Sequence, residues 1–94
     1  MPQTKTVNRF QPGKFYATPG ALEQFSRREL FLCIRRHLAG DWGDLSNEDW
    51  RLNNQSLIRG GRLFSSYIMQ NGRKLWIITE ANRSATTCLL PEEY

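Results

Sequence analysis

The sequence predicts an α+β fold in which two helices pack on one face of a three- to four-stranded antiparallel meander. Its last third, residues 62–90, contains three β-rich runs. Asn71-Gly72 joins the first two runs and is a strong hairpin signal, because a type I′ turn needs positive φ at both central residues. Two capped helical segments precede the runs. We expect both helices to pack on one face of the sheet, as in other α+β folds.

Composition limits the class of protein. A length of 94 residues indicates one domain, and 39% hydrophobic and 12% aromatic residues argue against disorder. Cys33 and Cys88 lie in apolar runs without a CxxC pair, and the chain has one histidine, so we expect buried thiols, no metal site and no cofactor. Without a signal peptide or an apolar run near about 18 residues, we expect a cytoplasmic protein that does not contact a membrane.

The N-terminal segment is polar, and we expect residues 1–13 to form a mobile arm ahead of a single domain at 14–94. The β-prone run at 14–17 is short and adds an edge strand. Thr18 then suits the cap of a short helix with Pro19 at its first position, because proline lacks an N–H that would remain unpaired there.

Two longer helices follow. Ser26 and Glu29 have the spacing of a capping box, which starts a helix that ends near Ala39. Its apolar stripe comprises Leu30, Phe31, Ile34, His37 and Leu38. After a glycine-bracketed loop at 40–44, Ser46 caps a second helix over 47–58.

Counting outward from a two-residue Asn71-Gly72 turn pairs Tyr67 with Trp76. Counting from a second turn centred on Asn82-Arg83 pairs Ile77 with Cys88. Alternation then predicts one aliphatic face toward the helices, formed by Phe64, Ser66, Ile68, Leu75, Ile77, Cys88 and Leu90. The opposite face mixes aromatic, hydroxyl and charged side chains, and it comprises Leu63, Ser65, Tyr67, Met69, Lys74, Trp76, Ile78, Glu80, Thr87 and Leu89.

The mixed face suits contact with a partner, since Tyr and Trp offer large contact areas with a polar tip. Cross-strand aromatic pairs also stabilise sheets without any partner, so both interpretations stay open. The binding site that we expect comprises Tyr67, Trp76, Glu80, Thr87, Arg83 and the loop residues Asp41, Trp42 and Asp44. In this site Tyr67 and Trp76 are the anchors, and Glu80 and Arg83 set specificity.

A metal-independent ribonuclease is the alternative. Helices followed by a meander resemble the layout of barnase and of the RelE-type toxins. Such an enzyme needs an acid–base pair and cations for the phosphorane charge. The candidates are His37, Glu80, Arg83 and Thr87, with Arg62 and Thr86 nearby in the constellation. On the apolar stripe of its helix, however, a histidine is more commonly structural and hydrogen-bonded.

Longer strings carry a resemblance that covers most of the chain: ATPGAL (17–22), HLAGDWGDL (37–45), GRLFSSY (61–67), WIITE (76–80) and LLPEEY (89–94). In these strings the chain resembles a family of small plasmid- and phage-related proteins, some of which are labelled type I restriction subunits. That label does not fit 94 residues without a methyltransferase or nuclease motif. The resemblance implies a mobile genetic element as the setting and no catalytic residue.

That setting favours a non-catalytic anti-defence protein, of the anti-restriction or anti-CRISPR type. Its expected partner is a host or defence-system protein or ribonucleoprotein. Contact with nucleic acid is also compatible with a net charge of +4.

Overall fold

Residues 8–94 are described by a computed structural model, and they form the expected α+β fold. The strands are β1 (Lys14–Ala17), β2 (Leu63–Ile68), β3 (Lys74–Thr79) and β4 (Ala85–Leu89), and the helices are α1 (Pro19–Gln24), α2 (Arg27–Leu38) and α3 (Asn47–Arg59). A short 3₁₀ turn, Pro91–Glu93, follows β4.

The sheet has the order β1-β4-β3-β2 and is mixed. β2, β3 and β4 form the predicted antiparallel meander, but β1 runs parallel to β4, so the expectation of a wholly antiparallel sheet is wrong at this pair. A tight hairpin forces neighbouring strands to be antiparallel. β1 and β4 are instead separated by all the helices, and no such constraint applies to them.

The helices begin where the sequence places their caps. The Thr18 hydroxyl accepts a hydrogen bond from the Ala21 amide at 3.2 Å. Ser26 and Glu29 form the complete capping box, with bonds of 3.1 Å and 2.8 Å. Ser46 caps α3 through a single side-chain bond. Each cap pairs an N–H that the first turn of a helix leaves without an internal acceptor.

The loop between β2 and β3 differs from the predicted two-residue turn. Gly72 N–H donates to the Met69 carbonyl at 2.9 Å, and Met69 N–H donates to the Arg73 carbonyl at 2.8 Å. The φ angle of Gly72 is 84°, whereas that of Asn71 is not positive. A type I′ turn needs both to be positive, so the chain instead forms a three-residue connection with glycine in the left-handed position.

The longer loop shifts the register of β2 by one residue. Tyr67 lies opposite Leu75, where the two-residue turn predicts Trp76. Because side chains alternate along a strand, this shift moves every β2 side chain to the face opposite the predicted one. The second register is as predicted, with Ile77 opposite Cys88. The sequence therefore predicts the correct sheet face for the side chains of β3 and β4 and the wrong face for those of β2.

α1 and α2 cover one face of the sheet, which we call the inner face. Its side chains are Leu63, Ser65, Tyr67, Leu75, Ile77, Thr79, Thr86 and Cys88. The helices contribute Ala21, Phe25, Leu30 and Cys33 to this core. α3, the second of the two helices predicted to cover this face, lies along the edge of β2 instead, and the one residue that it buries is Asn53, so the prediction is wrong for this helix.

The free edge of β2 is closed by hydrogen bonds. The Asn53 side chain donates to the Phe64 carbonyl at 2.6 Å and accepts from the Phe64 amide at 3.1 Å. Two residues further on, Ser66 N–H donates to Trp42 O and Ser66 O accepts from Asp44 N–H. A side-chain amide and a loop thus replace a neighbouring strand, which protects the edge from pairing with another chain.

The part of the N-terminal segment that the structure describes contacts the domain. Arg9 N–H donates to the Leu38 carbonyl at 2.8 Å, and the Pro12 carbonyl accepts from the Thr86 hydroxyl at 2.7 Å. The Phe10 ring stacks on Trp42 with 6.3 Å between centroids. The predicted mobile arm also includes residues 1–7, which lie outside the described residues.

We expect Asn53→Ala to lower the free energy of unfolding by about 2–3 kcal/mol, because it leaves two backbone groups of Phe64 without partners. Urea unfolding followed by circular dichroism measures the change. Gln55→Ala, at an exposed position of the same helix, is the matched control and should change stability by less than about 0.5 kcal/mol. Equal midpoints for the two variants would contradict the role of Asn53.

Candidate functional site

The sheet face that points away from α1 and α2 is the outer face. On β2, β3 and β4 it comprises Phe64, Ser66, Ile68, Lys74, Trp76, Ile78, Thr87 and Leu89. Glu80 continues the alternation of β3 on this side, where its carboxylate lies 3.9 Å from Arg62 Nε. Three residues of the predicted binding site, Trp76, Glu80 and Thr87, therefore share the outer face.

A cleft of about 270 Å³ opens on the outer face, and we call it the aromatic cleft. It is lined by Arg62, Phe64, Trp76, Ile78 and Tyr94. Phe64 meets Trp76 edge to face, with centroids 4.9 Å apart, and Trp76 meets Tyr94 at 5.9 Å. Such contacts hold aromatic rings in defined orientations, so the walls of the cleft are preformed.

Arg62 is the charged residue of the cleft. Its Nη1 donates to the Tyr94 hydroxyl at 2.8 Å, and its guanidinium lies 5.5 Å from the centre of the Tyr94 ring. The Glu80 carboxylate is its nearest acidic group among residues 8–94, and both side chains are about half exposed. An exposed pair at 3.9 Å interacts weakly. Arg62 therefore keeps most of its positive charge available to a ligand.

The C-terminal turn places Tyr94. The Glu93 carboxylate accepts from the Thr18 hydroxyl at 2.5 Å and from the Gly20 amide at 2.9 Å, at the start of α1. These bonds, led by that from Thr18, lower the pKa of Glu93. Glu92 also pairs with Arg73. The turn is therefore attached at two points, and Tyr94 extends from it onto Trp76 while 69% of its surface stays exposed.

Tyr67, the second predicted anchor, is on the inner face and does not pair with Trp76. It is 1% exposed, its hydroxyl donates to the Asp41 carbonyl at 2.6 Å, and burial raises its pKa. The Arg36 guanidinium lies 4.5 Å from the centre of its ring. Tyr67 is therefore inaccessible to a partner, and the cause is the one-residue shift in the register of β2.

The predicted loop residues also have structural contacts. Trp42 is fully buried, and its indole N–H donates to Asn54 Oδ1 at 2.9 Å. The Asp41 carboxylate pairs with Arg36 at 2.7 Å, whereas the Asp44 side chain is exposed at the edge of β2. The structure does not bring Trp42 to the aromatic cleft.

Arg83 connects three segments of backbone. Its guanidinium donates to the carbonyls of Gly61 at 2.5 Å, Glu80 at 3.1 Å and Ser56 at 3.1 Å. Its φ angle of 60° lies in the left-handed region, which non-glycine residues seldom adopt. Arg83 thus joins the end of α3 to the loop before β4, and both of its terminal guanidinium nitrogens donate to backbone carbonyls of the fold.

The ribonuclease candidates do not meet on one surface. His37 is fully buried against the inner face, where Nδ1 lies 2.5 Å from Ser65 Oγ and Nε2 lies 2.9 Å from Thr79 Oγ1. Glu80 projects from the outer face, so the sheet separates the two proposed acid–base groups. The position of His37 agrees with the hydrogen-bonded structural role that its place on the apolar stripe predicts.

The hydrogen bonds around His37 define its tautomer. Thr86 donates its single hydroxyl proton to the Pro12 carbonyl, so Thr79 donates to Thr86 Oγ1 at 2.7 Å. Thr79 must then accept from His37 Nε2–H, which leaves Nδ1 to accept from the Ser65 hydroxyl. Burial, and then the charge of Arg83, lower the pKa of His37 to about 3. The imidazole is therefore neutral at physiological pH.

Other candidate chemistry is limited within residues 8–94. Cys33 and Cys88 are buried free thiols, and burial raises the pKa of Cys88 to about 12. In the same part of the chain no group of three His, Cys, Asp or Glu side chains could hold a metal ion. None of its helices is long and apolar enough to cross a membrane.

Comparisons of the chain with protein-family models, with curated proteins and with solved structures found no match.

Sequence reasoning missed two walls of the aromatic cleft. The two-residue turn places Phe64 on the helix-facing side, because it gives β2 a register that differs by one residue from the observed one. Tyr94 lies beyond the last strand, and the signal that could have placed it was the Leu90-Pro91 pair followed by two glutamates. Proline at the first position after Leu90 is typical of the start of a helical turn.

We expect acid to destabilise the protein through His37. The unfolded chain protonates His37 below about pH 6.5, whereas the folded state resists this protonation until the pH nears 3. The stability that neutral His37 contributes to the folded state is therefore complete above about pH 6.5 and is lost as the pH falls toward 3. The full effect is about 5 kcal/mol. In His37→Gln, which cannot titrate, the free energy of unfolding should fall less steeply between about pH 6.5 and 3.5. Parallel curves for the two proteins, from urea titrations at each pH, would contradict this assignment.

Proposed function

We propose that the protein is a small, non-catalytic binding protein that captures a partner through its outer sheet face. The observation that carries the proposal is the aromatic cleft, because it brings together an Arg, a Trp and a Tyr beside a Phe. Trp, Tyr and Arg are the residues that most often dominate the binding energy of interfaces. Their rings are already ordered by contacts with each other, which reduces the entropy lost on binding.

The distribution of the acid–base groups supports binding over ribonuclease chemistry. His37 is neutral and buried on the inner face, and the Arg83 guanidinium is bonded to backbone carbonyls. Glu80 and Thr87 stay on the outer face without that histidine beside them. A general acid or base must reach the proton that it transfers, and within residues 8–94 the hydrogen-bond partners of His37 are Ser65 and Thr79.

The proposed setting is a mobile genetic element. The resemblance to plasmid- and phage-related proteins motivates this part of the proposal. An anti-defence inhibitor acts by occupying a surface of a host or defence-system protein or ribonucleoprotein. A preformed apolar cleft beside an arginine supports that mode of action, because it needs no cofactor and no bond-making step. The site of action is the host cytoplasm.

Affinity capture from host cells, followed by mass spectrometry, tests the proposal. We expect the wild type to retain a partner. Tyr94→Ala and Arg62→Ala should each bind this partner at least about tenfold more weakly, because truncating an anchor residue of an interface has an effect of this size. Tyr94 is largely exposed and Arg62 is about half exposed, so these changes leave the core intact. Ile58→Ala, at an exposed apolar position on α3, is the matched control and should bind as the wild type does.

Two outcomes would overturn the proposal. One is partner capture that is identical in the wild type and both cleft variants. The other is chelator-resistant RNA cleavage by the purified protein that disappears in Glu80→Ala, which would make the protein a ribonuclease. Circular dichroism of each variant establishes that a lost signal reflects the cleft and not unfolding.

A further inference from the structure

We infer that the aromatic cleft accepts one aromatic side chain of a partner protein, from a segment in which acidic residues flank that side chain. The inference rests on the proposed function and specifies the chemistry of the partner. It follows from three properties of the cleft: its volume, the polarity of its walls and the charges beside it.

The volume suits a single side chain. Pockets for small-molecule ligands and cofactors usually measure about 300–1,000 Å³. The aromatic cleft, at about 270 Å³, is smaller than that and open on one side. A cleft of this size suits one aromatic side chain. Protein interfaces commonly place one large anchor side chain in a pocket of this kind.

The walls favour a hydrocarbon ring over a nucleobase. Phe64, Trp76 and Ile78 offer mainly apolar surface. The polar groups of the cleft, the Arg62 guanidinium and the Tyr94 hydroxyl, are bonded to each other at 2.8 Å. The polar edge of a nucleobase would lose its hydrogen bonds to water in this cleft without full replacement, and buried polar groups without partners are costly. A phenylalanine or tryptophan side chain from a protein avoids most of that loss.

The charges beside the cleft disfavour a cationic ligand, because the Glu80 carboxylate offsets Arg62 only weakly across 3.9 Å. Three aromatic rings around a pocket resemble the cages that bind methylated ammonium groups, but Arg62 would repel such a group at close range. Lys74 adds a second positive charge, because it lies two residues from Trp76 on the same face of β3. None of the ion pairs within residues 8–94 involves Lys74. Carboxylates on both sides of the inserted ring would therefore complement Arg62 and Lys74.

Short peptides test this chemistry directly. The probes are acetylated, amidated tripeptides in which glutamates flank phenylalanine, lysines flank phenylalanine, or glutamates flank alanine, together with a short single-stranded oligothymidylate. Nitrogen–proton correlation spectra of the full chain report binding at the Trp76 indole N–H. Two internal controls are the Trp42 and Trp50 indoles, which donate to Asn54 and to the Gly43 carbonyl away from the cleft.

We expect the glutamate-flanked phenylalanine peptide to shift the Trp76 signal and to leave the other two indole signals unchanged. It should bind about tenfold more tightly than the lysine-flanked peptide at low salt, and this difference should shrink as salt screens the charges. The alanine peptide should not shift Trp76. Arg62→Gln should retain binding of the ring but lose most of the preference for glutamate, whereas Arg59→Gln, on the exposed end of α3, should retain both.

Equal affinity for the acidic and basic peptides, tighter binding of the oligothymidylate, or no shift at up to about 10 mM peptide would overturn the inference. These outcomes are separable from a failure of the proposed function. If capture of a host partner still depends on Tyr94 and Arg62 but the glutamate-flanked phenylalanine peptide does not bind, the outer face binds a partner of other chemistry. If neither the peptide nor a host partner depends on the cleft, both proposals are wrong.

Discussion

The left-handed conformation of Gly72 determines the contents of both faces of the sheet. With φ at 84°, this residue lets three residues connect β2 and β3, and the register follows from that length. Tyr67 consequently points into the core, where its hydroxyl holds the loop that carries Asp41. The same register moves Phe64 to the outer face beside Trp76. The core and the aromatic cleft therefore depend on one backbone torsion at a loop tip.

The outer face combines a rigid sheet with an appended wall. Phe64, Trp76 and Ile78 project from paired strands, which hold their backbones in place. Tyr94 reaches the same cleft from the C-terminal turn, which exposed polar bonds attach to α1 and to Arg73. Such bonds contribute little stability individually but define geometry well. The sheet and the C-terminal turn together therefore form a preordered site that can bind an inserted side chain.

Local signals in the sequence predicted the parts of the fold that local chemistry determines. Helix caps at Ser26 and Ser46 need only nearby residues, and the β3–β4 register follows from a short loop. The β2 register was not predictable in this way, because Asn71-Gly72 fits a two-residue and a three-residue turn alike. The parallel pairing of β1 depends on packing across the whole chain. Of the expected site, Trp76, Glu80 and Thr87 share the outer face, since they lie on or directly after the two strands whose predicted register is correct.

The hydrogen-bonded array of His37, Thr79 and Thr86 at the inner face restricts proton movement. From His37 through Thr79 and Thr86 to the Pro12 carbonyl, every donor points the same way. A proline carbonyl has no proton to return, so the array cannot reverse its polarity by passing protons along. The array ends at an acceptor, and it keeps the His37 ring in a single tautomer and orientation. The exchange of the His37 ring proton with solvent should therefore be as slow as that of a core amide, and it would report on opening of the whole domain.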